Sequence, residues 1–153
     1  VAQVTERIPV AIWRSRDGIG VVDAEGVVIG ELDQRSQRPD LPVIAGPGAD
    51  RAVPEALAIL QAAAPLRDRV RGLVRMGERR WDVVLDRDQR ILLPERGPVS
   101  ALERVLVLDD VQDMLERDLV AVDMRLSERP TIRMSESAVQ EWWRVTKMTL
   151  GAE

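Results

Sequence analysis

Residues 40–50 read DLPVIAGPGAD and decide how the two halves of the fold are joined, because Gly-Pro-Gly follows an apolar run and precedes a predicted helix. Glycines at a helix start either offer free N–H groups to a phosphate or form a simple turn. A P-loop needs GxxxxGK[ST], and this stretch lacks both the lysine and the hydroxyl. Pro47 has no N–H to donate, and Asp50 would repel an anion. We therefore interpret the stretch as a turn that leads from the first strands into a helix.

The residues before this turn have the pattern of short antiparallel strands. The stretch RIPVAIW is rich in β-branched residues, and Asp17-Gly18 marks a hairpin turn after it. A second turn, Ala24-Glu25-Gly26, precedes another short apolar run. The sequence thus predicts strands at 7–13, 20–23 and 27–29, followed by a polar loop at 31–40.

The residues after the turn predict two helices and five strands. Pro54 suits a first helical turn and Pro65 its end, which gives a helix over 54–64. Apolar residues at helical spacing predict the longest helix over 100–117. Strands are expected at 70–76, 81–85, 91–93, 119–126 and 131–134. This order of elements predicts an α+β fold with a mainly antiparallel sheet.

The strand predicted at 119–126 has the clearest alternation in the sequence. One face is expected to carry the apolar side chains and the other the polar ones. The apolar set is Val120, Val122, Met124 and Leu126, and the other set is Ala121, Asp123 and Arg125.

The final segment, residues 135–153, fits an amphipathic helix capped at Ser135 or Ser137. Adjacent Trp142 and Trp143 either pack on the preceding domain or form a second contact surface. Of the two interpretations, we expect packing on the domain.

The composition excludes several classes of function. The chain has 153 residues with no cysteine and no histidine, which excludes thiol catalysis, His-based triads, disulfides and the usual zinc sites. The net charge is −4 and the basic residues are scattered, so no electrostatic footprint for nucleic acid is present. We predict no cofactor.

The acidic clusters do not make a convincing catalytic pair. Asp109-Asp110 are neighbours on a predicted helix, so their side chains diverge, and we interpret them as a solvated face. Asp86-Arg87-Asp88 lacks the glycine and the terminal glutamate of a calcium loop and is interpreted as a hairpin turn. An enzyme that uses carboxylates alone is the weakest alternative, and we predict a non-enzymatic protein.

Three stretches in order resemble the bacterial FtsQ/DivIB cell-division family. VTERIPVAIW with VVDAEGVVI is similar to the family's first hairpin, LPVIAGPGAD to its LPxLxGP motif, and VAVDMRL to its late xVDLR strand. The Trp81 segment, GERRWDVVLDRDQRILLPE, fits the family's central hairpin. Each motif is weak alone, and their order over residues 4–134 makes the set specific.

The resemblance implies an architecture and a location. Members of this family have a cytoplasmic tail, one transmembrane helix, a periplasmic POTRA domain and a β domain. Residues 1–25 would then be the last hairpin of a POTRA domain, residues 26–134 the β domain and residues 135–153 a tail. The β domain would be a bent antiparallel sheet with two helices on one side. The expected location is the periplasmic side of the inner membrane, at the division septum.

The resemblance also implies a scaffolding function. Members of the family bind the division proteins FtsB and FtsL and help to place septal peptidoglycan synthesis. In this binding, the C-terminal segment of the partner adds a strand to the edge of the β domain formed near the end of the chain. Carried onto this sequence, the expected contacts are Arg125, Leu126, Arg129, Thr131, Ile132, Arg133 and Met134. Two alternatives stay open: a POTRA-containing transport or assembly module, and an ordinary edge strand that is unused or covered by the tail.

Overall fold

The computed structural model describes residues 6–126 and 130–150, without the side chains of residues 149 and 150. Within these residues the chain forms nine strands and three helices. The strands are β1 Ala11–Ser15, β2 Gly18–Val22, β3 Val28–Leu32, β4 Val43–Ala45, β5 Val70–Met76, β6 Arg80–Leu85, β7 Arg90–Leu92, β8 Leu119–Asp123 and β9 Thr131–Met134. The helices are α1 Val53–Ala62, α2 Pro98–Gln112 and α3 Glu136–Leu150.

The nine strands form one sheet with the order β3-β2-β1-β4-β5-β6-β7-β8-β9. Five neighbouring pairs are antiparallel, whereas β1–β4, β4–β5 and β7–β8 are parallel. A parallel neighbour needs a crossover connection, and α1 and α2 supply the crossovers before β5 and β8. The predicted α+β fold with a mainly antiparallel sheet is confirmed.

The main core lies between the sheet and the two crossover helices. Trp81 of β6 is fully buried there, and its indole N–H donates a 2.9 Å hydrogen bond to Glu55 of α1. Arg75 of β5 lies 5.0 Å above the same ring and pairs with Glu55 at 3.0 Å. Because α1 and α2 contribute to one cluster of buried side chains, they cover the same face of the sheet.

The Gly-Pro-Gly stretch is a turn, as predicted, and the structure gives its physical reason. Gly46 has a φ of 98°, and a β-carbon there would lie 2.5 Å from the carbonyl oxygen of Arg75. The indole N–H of Trp13 donates to the Gly46 carbonyl at 3.2 Å, which ties β1 to this turn. The sequence did not predict β4, whose three residues are too few to show a strand period.

The second helix is shorter than predicted. It ends at Gln112, because Asp113 adopts a left-handed conformation with a φ of 50°. The carboxylate of Asp109 then accepts a 2.7 Å hydrogen bond from the Leu115 N–H. The interpretation of Asp109 as merely solvated is therefore wrong, since it holds the turn that leads into β8.

The first hairpin is continuous with the rest of the sheet. Strand β1 pairs with β2 on one side and with β4 on the other. Ala11 and Val22 belong to the same buried cluster as α1 and α2. The predicted boundary at residue 25 falls in the turn between β2 and β3, and the assignment of residues 1–25 to a separate POTRA domain stays a prediction.

Candidate partner-binding edge

Strand β9 forms one end of the sheet, and all four of its residues are exposed. Among residues 6–126 and 130–150 it pairs with β8 alone, and the register places Ile132 opposite Val122 and Thr131 opposite Asp123. Val122 lies in the main core, so the side chain of Ile132 projects to the helix side of the sheet. Ile132 and Met134 are 41% and 46% exposed, which leaves an apolar margin beside this edge.

Hydrogen bonds on either side of the β8–β9 pair show which backbone groups point outward. The Ser135 N–H donates to Asp118 on the β8 side, and the Met124 N–H donates to Leu92 on the β7 side. Backbone groups alternate in direction along an antiparallel strand. The N–H groups of Ile132 and Met134 therefore point away from β8, toward the open edge.

A β-bulge in β8 changes the face that part of this strand presents. The register shifts between Leu119 and Ala121, so the intervening residue Val120 has no direct partner. Val120 is 48% exposed, while Val122 and Met124 are buried as expected. The prediction that Val120 shares their buried face is wrong for this reason.

The strand also ends earlier than predicted, at Asp123. The Asp123 carboxylate accepts a 3.0 Å hydrogen bond from the backbone N–H of Arg125, which closes a local turn. Leu126 lies beyond this turn and is 95% exposed, so its predicted place on the apolar face of the strand is wrong.

Two arginines surround the carboxylate of Asp123. The guanidinium of Arg125 lies 2.7 Å from it, and that of Arg133 in β9 lies 3.5 Å away. The hydrogen bond from the Arg125 side chain is the main reason that the pKa of Asp123 falls to about 2. This group thus stays ionised at neutral pH and links the end of β8 to β9.

A second aspartate on the same face has the same arrangement. Asp82 of β6 contacts Arg80 at 2.5 Å and Arg90 of β7 at 3.3 Å. Leu92 of β7 lies between the two aspartates in the sheet, opposite Asp82 on one side and opposite Asp123 on the other. Both aspartates are therefore on the same face of the sheet. Because the adjacent Val122 is in the main core, this face points away from the helices. We call these six residues the arginine–aspartate cluster: Arg80, Asp82, Arg90, Asp123, Arg125 and Arg133. Four arginines and two aspartates give it a net charge of +2.

A groove of about 370 Å³ borders this cluster at the end of β7 and β8. Three guanidinium-bearing residues line it and only one carboxylate does. The lining residues are Met76, Gly77, Arg79, Arg80, Pro94, Glu95 and Arg125. The groove therefore favours an acidic ligand segment over a basic one.

The structure places the predicted contact residues at one end of the sheet. Arg125, Leu126 and all of β9 lie together there, while Arg129 falls outside the described residues. Sequence reasoning missed Arg80, Asp82 and Arg90, although Arg80 and Asp82 alternate with buried neighbours at strand period. The sequence shows this alternation, but it does not show that β6, β7 and β8 are neighbours in the sheet, which is what brings these side chains together.

The segment after β9 is helical, and its tryptophans are not buried. Ser135 caps α3 by accepting a 3.1 Å hydrogen bond from the Ala138 N–H. Trp142 and Trp143 are each 54% exposed and contact one another edge to face, with ring centroids 4.9 Å apart. The expectation that they pack on the domain is wrong. Within residues 6–126 and 130–150, no helix is long and apolar enough to cross a bilayer.

The fold and this edge define an α+β domain whose sheet ends in an exposed strand with outward N–H groups. The profile described as "Cell division protein FtsQ/DivIB, C-terminal" matches residues 11–125. This chain belongs to the FtsQ/DivIB family.

Individual relatives agree with this assignment. The cell division protein FtsQ of Roseobacter litoralis is 55% identical over 146 residues, which cover 95% of this chain and 50% of that protein. FtsQ of Paracoccus denitrificans is 53% identical, covering 90% of this chain and 40% of the relative. FtsQ of Caulobacter vibrioides is 35% identical, covering 89% and 45%. The chain spans about half the length of these curated relatives.

Proposed function

We propose that this chain is the extracytoplasmic part of a cell-division scaffold that binds FtsB and FtsL, on the periplasmic side of the inner membrane at the septum. Binding occurs by addition of a partner strand to β9. Through it the protein helps to localise and regulate septal peptidoglycan synthesis. The observation that carries the proposal is the open edge of β9, with the N–H groups of Ile132 and Met134 directed outward.

Strand addition needs unpaired backbone groups, and β9 offers them over a short, defined length. Pro130 precedes the strand and has no N–H, so it cannot donate to a partner. The outward donors of β9 are therefore those of Ile132 and Met134. A partner strand that accepts both would extend the sheet from nine strands to ten.

Side chains beside the edge determine which strands fit. Ile132 and Met134 offer apolar contacts on the helix side. The arginine–aspartate cluster, with its charge of +2, lies on the other face near the same edge. We infer that the partner strand carries apolar residues on one face and at least one carboxylate on the other, within reach of Arg125 or Arg133.

Calorimetry with a C-terminal peptide of FtsB tests this proposal. Ile132→Pro removes an outward N–H, and we expect binding to weaken by at least about 100-fold because a main-chain hydrogen bond and the strand geometry are lost together. Ile132→Ala keeps the N–H and serves as the matched control, with a loss of about tenfold or less. Thermal unfolding of both variants verifies that the domain stays folded.

Equal binding by wild type and Ile132→Pro would overturn the role of the β9 edge. If Ile132→Ala weakens peptide binding as much as Ile132→Pro does, the side chain of Ile132 rather than its backbone N–H makes the contact.

A further inference from the structure

A groove of about 250 Å³ crosses strands β1, β2 and β3 on one face of the sheet. Trp13 of β1 pairs with Gly20 of β2, and Gly20 pairs with Glu31 of β3. Directly paired residues of neighbouring strands point to the same face. The three residues therefore form one row across the sheet, and its middle position has no side chain.

This row lies on the helix side of the sheet. Ala11 and Val22 form the pair two residues away in the same two strands, and both are buried in the main core. Residues two apart in a strand share a face. The groove thus continues the core face toward the β1–β2 hairpin, where Trp13 is half-buried and Glu31 is exposed.

The glycine leaves a gap between an aromatic wall and an acidic wall. Neighbouring strands lie about 4.8 Å apart, so the backbones of Trp13 and Glu31 are about 10 Å apart. Val28, which is 47% exposed, adds an apolar side to the gap next to Gly20. The space suits one long side chain, because pockets for small-molecule ligands measure about 300–1,000 Å³.

Trp13 offers this gap the π-surface of its indole ring. Its N–H already donates to the Gly46 carbonyl at 3.2 Å, in the turn after β4, which lies on the side of β1 opposite to β2. The ring is therefore held in place and has no free donor for an anion. What it can still offer a ligand is the negative potential of its faces, which attracts cations.

The charged side chains that line the groove are both acidic. Asp17 and Glu31 give the lining a charge of −2. Within residues 6–126 and 130–150, neither carboxylate forms an ion pair. A cation in the groove would therefore meet carboxylates that no described side chain neutralises.

The core of the same sheet shows how the chain binds a guanidinium with these partners. Arg75 is the register partner of Trp81 on the neighbouring strand and lies 5.0 Å above its ring. The carboxylate of Glu55 holds this guanidinium at 3.0 Å. Beside Trp13 the register partner is Gly20, so the ring and a carboxylate are present without an arginine of the chain itself.

We propose that the groove binds an arginine side chain of a partner protein, with the guanidinium above Gly20, stacked on Trp13 and paired with Glu31. A cation is attracted to an indole ring within about 6 Å of its centre, so a guanidinium in the gap contacts both walls. The methylene groups of the arginine pack on Val28. This site lies at the other end of the sheet from β9 and is independent of strand addition there.

An arginine fits this groove better than a lysine or a neutral sugar does. The planar guanidinium stacks on an aromatic ring and donates to a carboxylate at the same time, whereas an ammonium group is more strongly hydrated. A sugar would leave the charges of both carboxylates uncompensated. The arginine–aspartate cluster has a charge of +2 and repels such a cationic ligand, so it does not compete with the groove.

Proton–nitrogen correlation NMR of the 153-residue chain tests the proposal, with the peptide acetyl-Thr-Val-Arg-Val-Thr-amide as the probe. We expect saturable shifts of the Trp13 indole N–H signal and a dissociation constant on the order of 1 mM, because a single side chain makes the contact. The same peptide with citrulline in place of arginine should bind at least about tenfold more weakly, since citrulline has a similar shape and no charge.

Variants of the two walls and of the gap locate the binding site. Glu31→Gln should weaken peptide binding by about fivefold to tenfold at low salt, because a charge-assisted hydrogen bond is lost. Trp13→Leu, followed at the Glu31 amide, should weaken it by about fivefold and also identifies the indole signal. Gly20→Arg fills the gap from within the chain, as Arg75 does beside Trp81, and should abolish binding.

Two controls separate the groove from net charge and from the β9 edge. Glu103→Gln removes an exposed carboxylate from α2 and should change binding by less than about twofold. Ile132→Pro should leave binding of this peptide unchanged, so failure of the groove and failure of strand addition are distinguishable. Far-ultraviolet circular dichroism reports whether each variant folds, and the exposed Glu31 allows the test even if Trp13→Leu or Gly20→Arg does not fold.

Several results would overturn the proposal. Equal binding of the arginine and citrulline peptides would exclude a guanidinium site. Wild-type affinity in Glu31→Gln, or in a folded Gly20→Arg, would place the peptide elsewhere. Binding of N-acetylarginine amide as tightly as the peptide would assign the groove to a small cationic ligand, and binding of chitotriose with no response to the peptide would assign it to carbohydrate.

Discussion

The two edges of the sheet are built from similar parts but held in different ways. At one end of the sheet, Val22 is the last residue of β2 and Asp23 follows it, before edge strand β3. At the other end, Val122 and Asp123 are the last two residues of β8, before edge strand β9. Each aspartate accepts a backbone hydrogen bond from two residues further on. The pKa of each is lowered by a hydrogen bond from an arginine, Arg7 for Asp23 and Arg125 for Asp123.

The connections that leave the two aspartates differ. Asp23 also accepts from the Val27 N–H at 2.9 Å, so the chain turns at once into β3. Gly26 in this turn packs against the carbonyl of Asp50, which leaves no room for a side chain. After Asp123 the connection is longer, includes the exposed Leu126, and leads to a strand flanked by arginines and followed by α3.

This difference indicates a division of roles between the two edges. Both edges expose apolar side chains, Val28 and Ile29 in β3 and Ile132 and Met134 in β9. The β3 end is fixed to the core by its turn, whereas the β9 end carries the arginine–aspartate cluster and is followed by helix α3. Variants in the turn before β3 should therefore change stability, and variants at the β9 end should change binding of the FtsB peptide.

The largest expected effect is on stability at the β3 end. Gly26 has a φ of 85°, and a β-carbon there would lie 1.7 Å from the Asp50 carbonyl oxygen. Gly26→Ala should lower the free energy of unfolding by about 3 kcal/mol, measured by chemical denaturation.

The matched control is Gly30→Ala in β3, where a β-carbon meets nothing within 4 Å. That variant should change stability by less than about 1 kcal/mol. If Gly26→Ala is as stable as Gly30→Ala, the turn before β3 does not anchor this edge to the core.

The next effect is on binding at the β9 end. Arg125→Glu reverses a charge that lines the groove and should weaken binding of the FtsB peptide by about tenfold to 100-fold, measured by calorimetry at low salt. Arg14→Glu in β1, near the opposite edge, changes net charge equally and should have little effect. Equal losses in the two variants would mean that net charge, and not the site, determines binding.

The smallest effect is on the pH dependence of stability. The pKa of Asp123 is about 2 in the folded chain and about 3.9 in an unfolded one. The ionised group therefore stabilises the fold above about pH 4, and this contribution is lost as the pH falls from about 4 to 2.

Asp123→Asn should remove this part of the acid dependence, as seen by thermal unfolding at a series of pH values. Asp23, whose pKa is also lowered, will retain its own contribution. An unchanged pH profile in Asp123→Asn would show that the carboxylate has little part in linking β8 to β9.

The sequence predicted much of the fold, because local signals specify its elements. Val70–Met76 and Thr131–Met134 were predicted with the observed bounds, and the Gly-Pro-Gly turn was identified from Pro47 and its glycines. The three-residue strand β4 has no periodicity of its own and forms only because β1 and β5 lie on either side.

The candidate site was harder to predict, because it depends on pairing between distant strands. Arg90 joins Asp82 only when β6 and β7 are in register, and no local pattern shows this. The bulge that exposes Val120 is likewise a property of the β8–β9 pair. The exposure of Trp142 could not be inferred from an amphipathic pattern, which predicts an apolar face but not what covers it.

The most direct test of strand addition at β9 is amide hydrogen exchange of the chain, followed by NMR, with and without the FtsB peptide. We predict that the amides of Ile132 and Met134 exchange rapidly in the free chain and become at least about tenfold slower in the complex, while those of β3 are unchanged. Protection of β3 amides by the peptide, with no change at Ile132 and Met134, would rule out strand addition at β9.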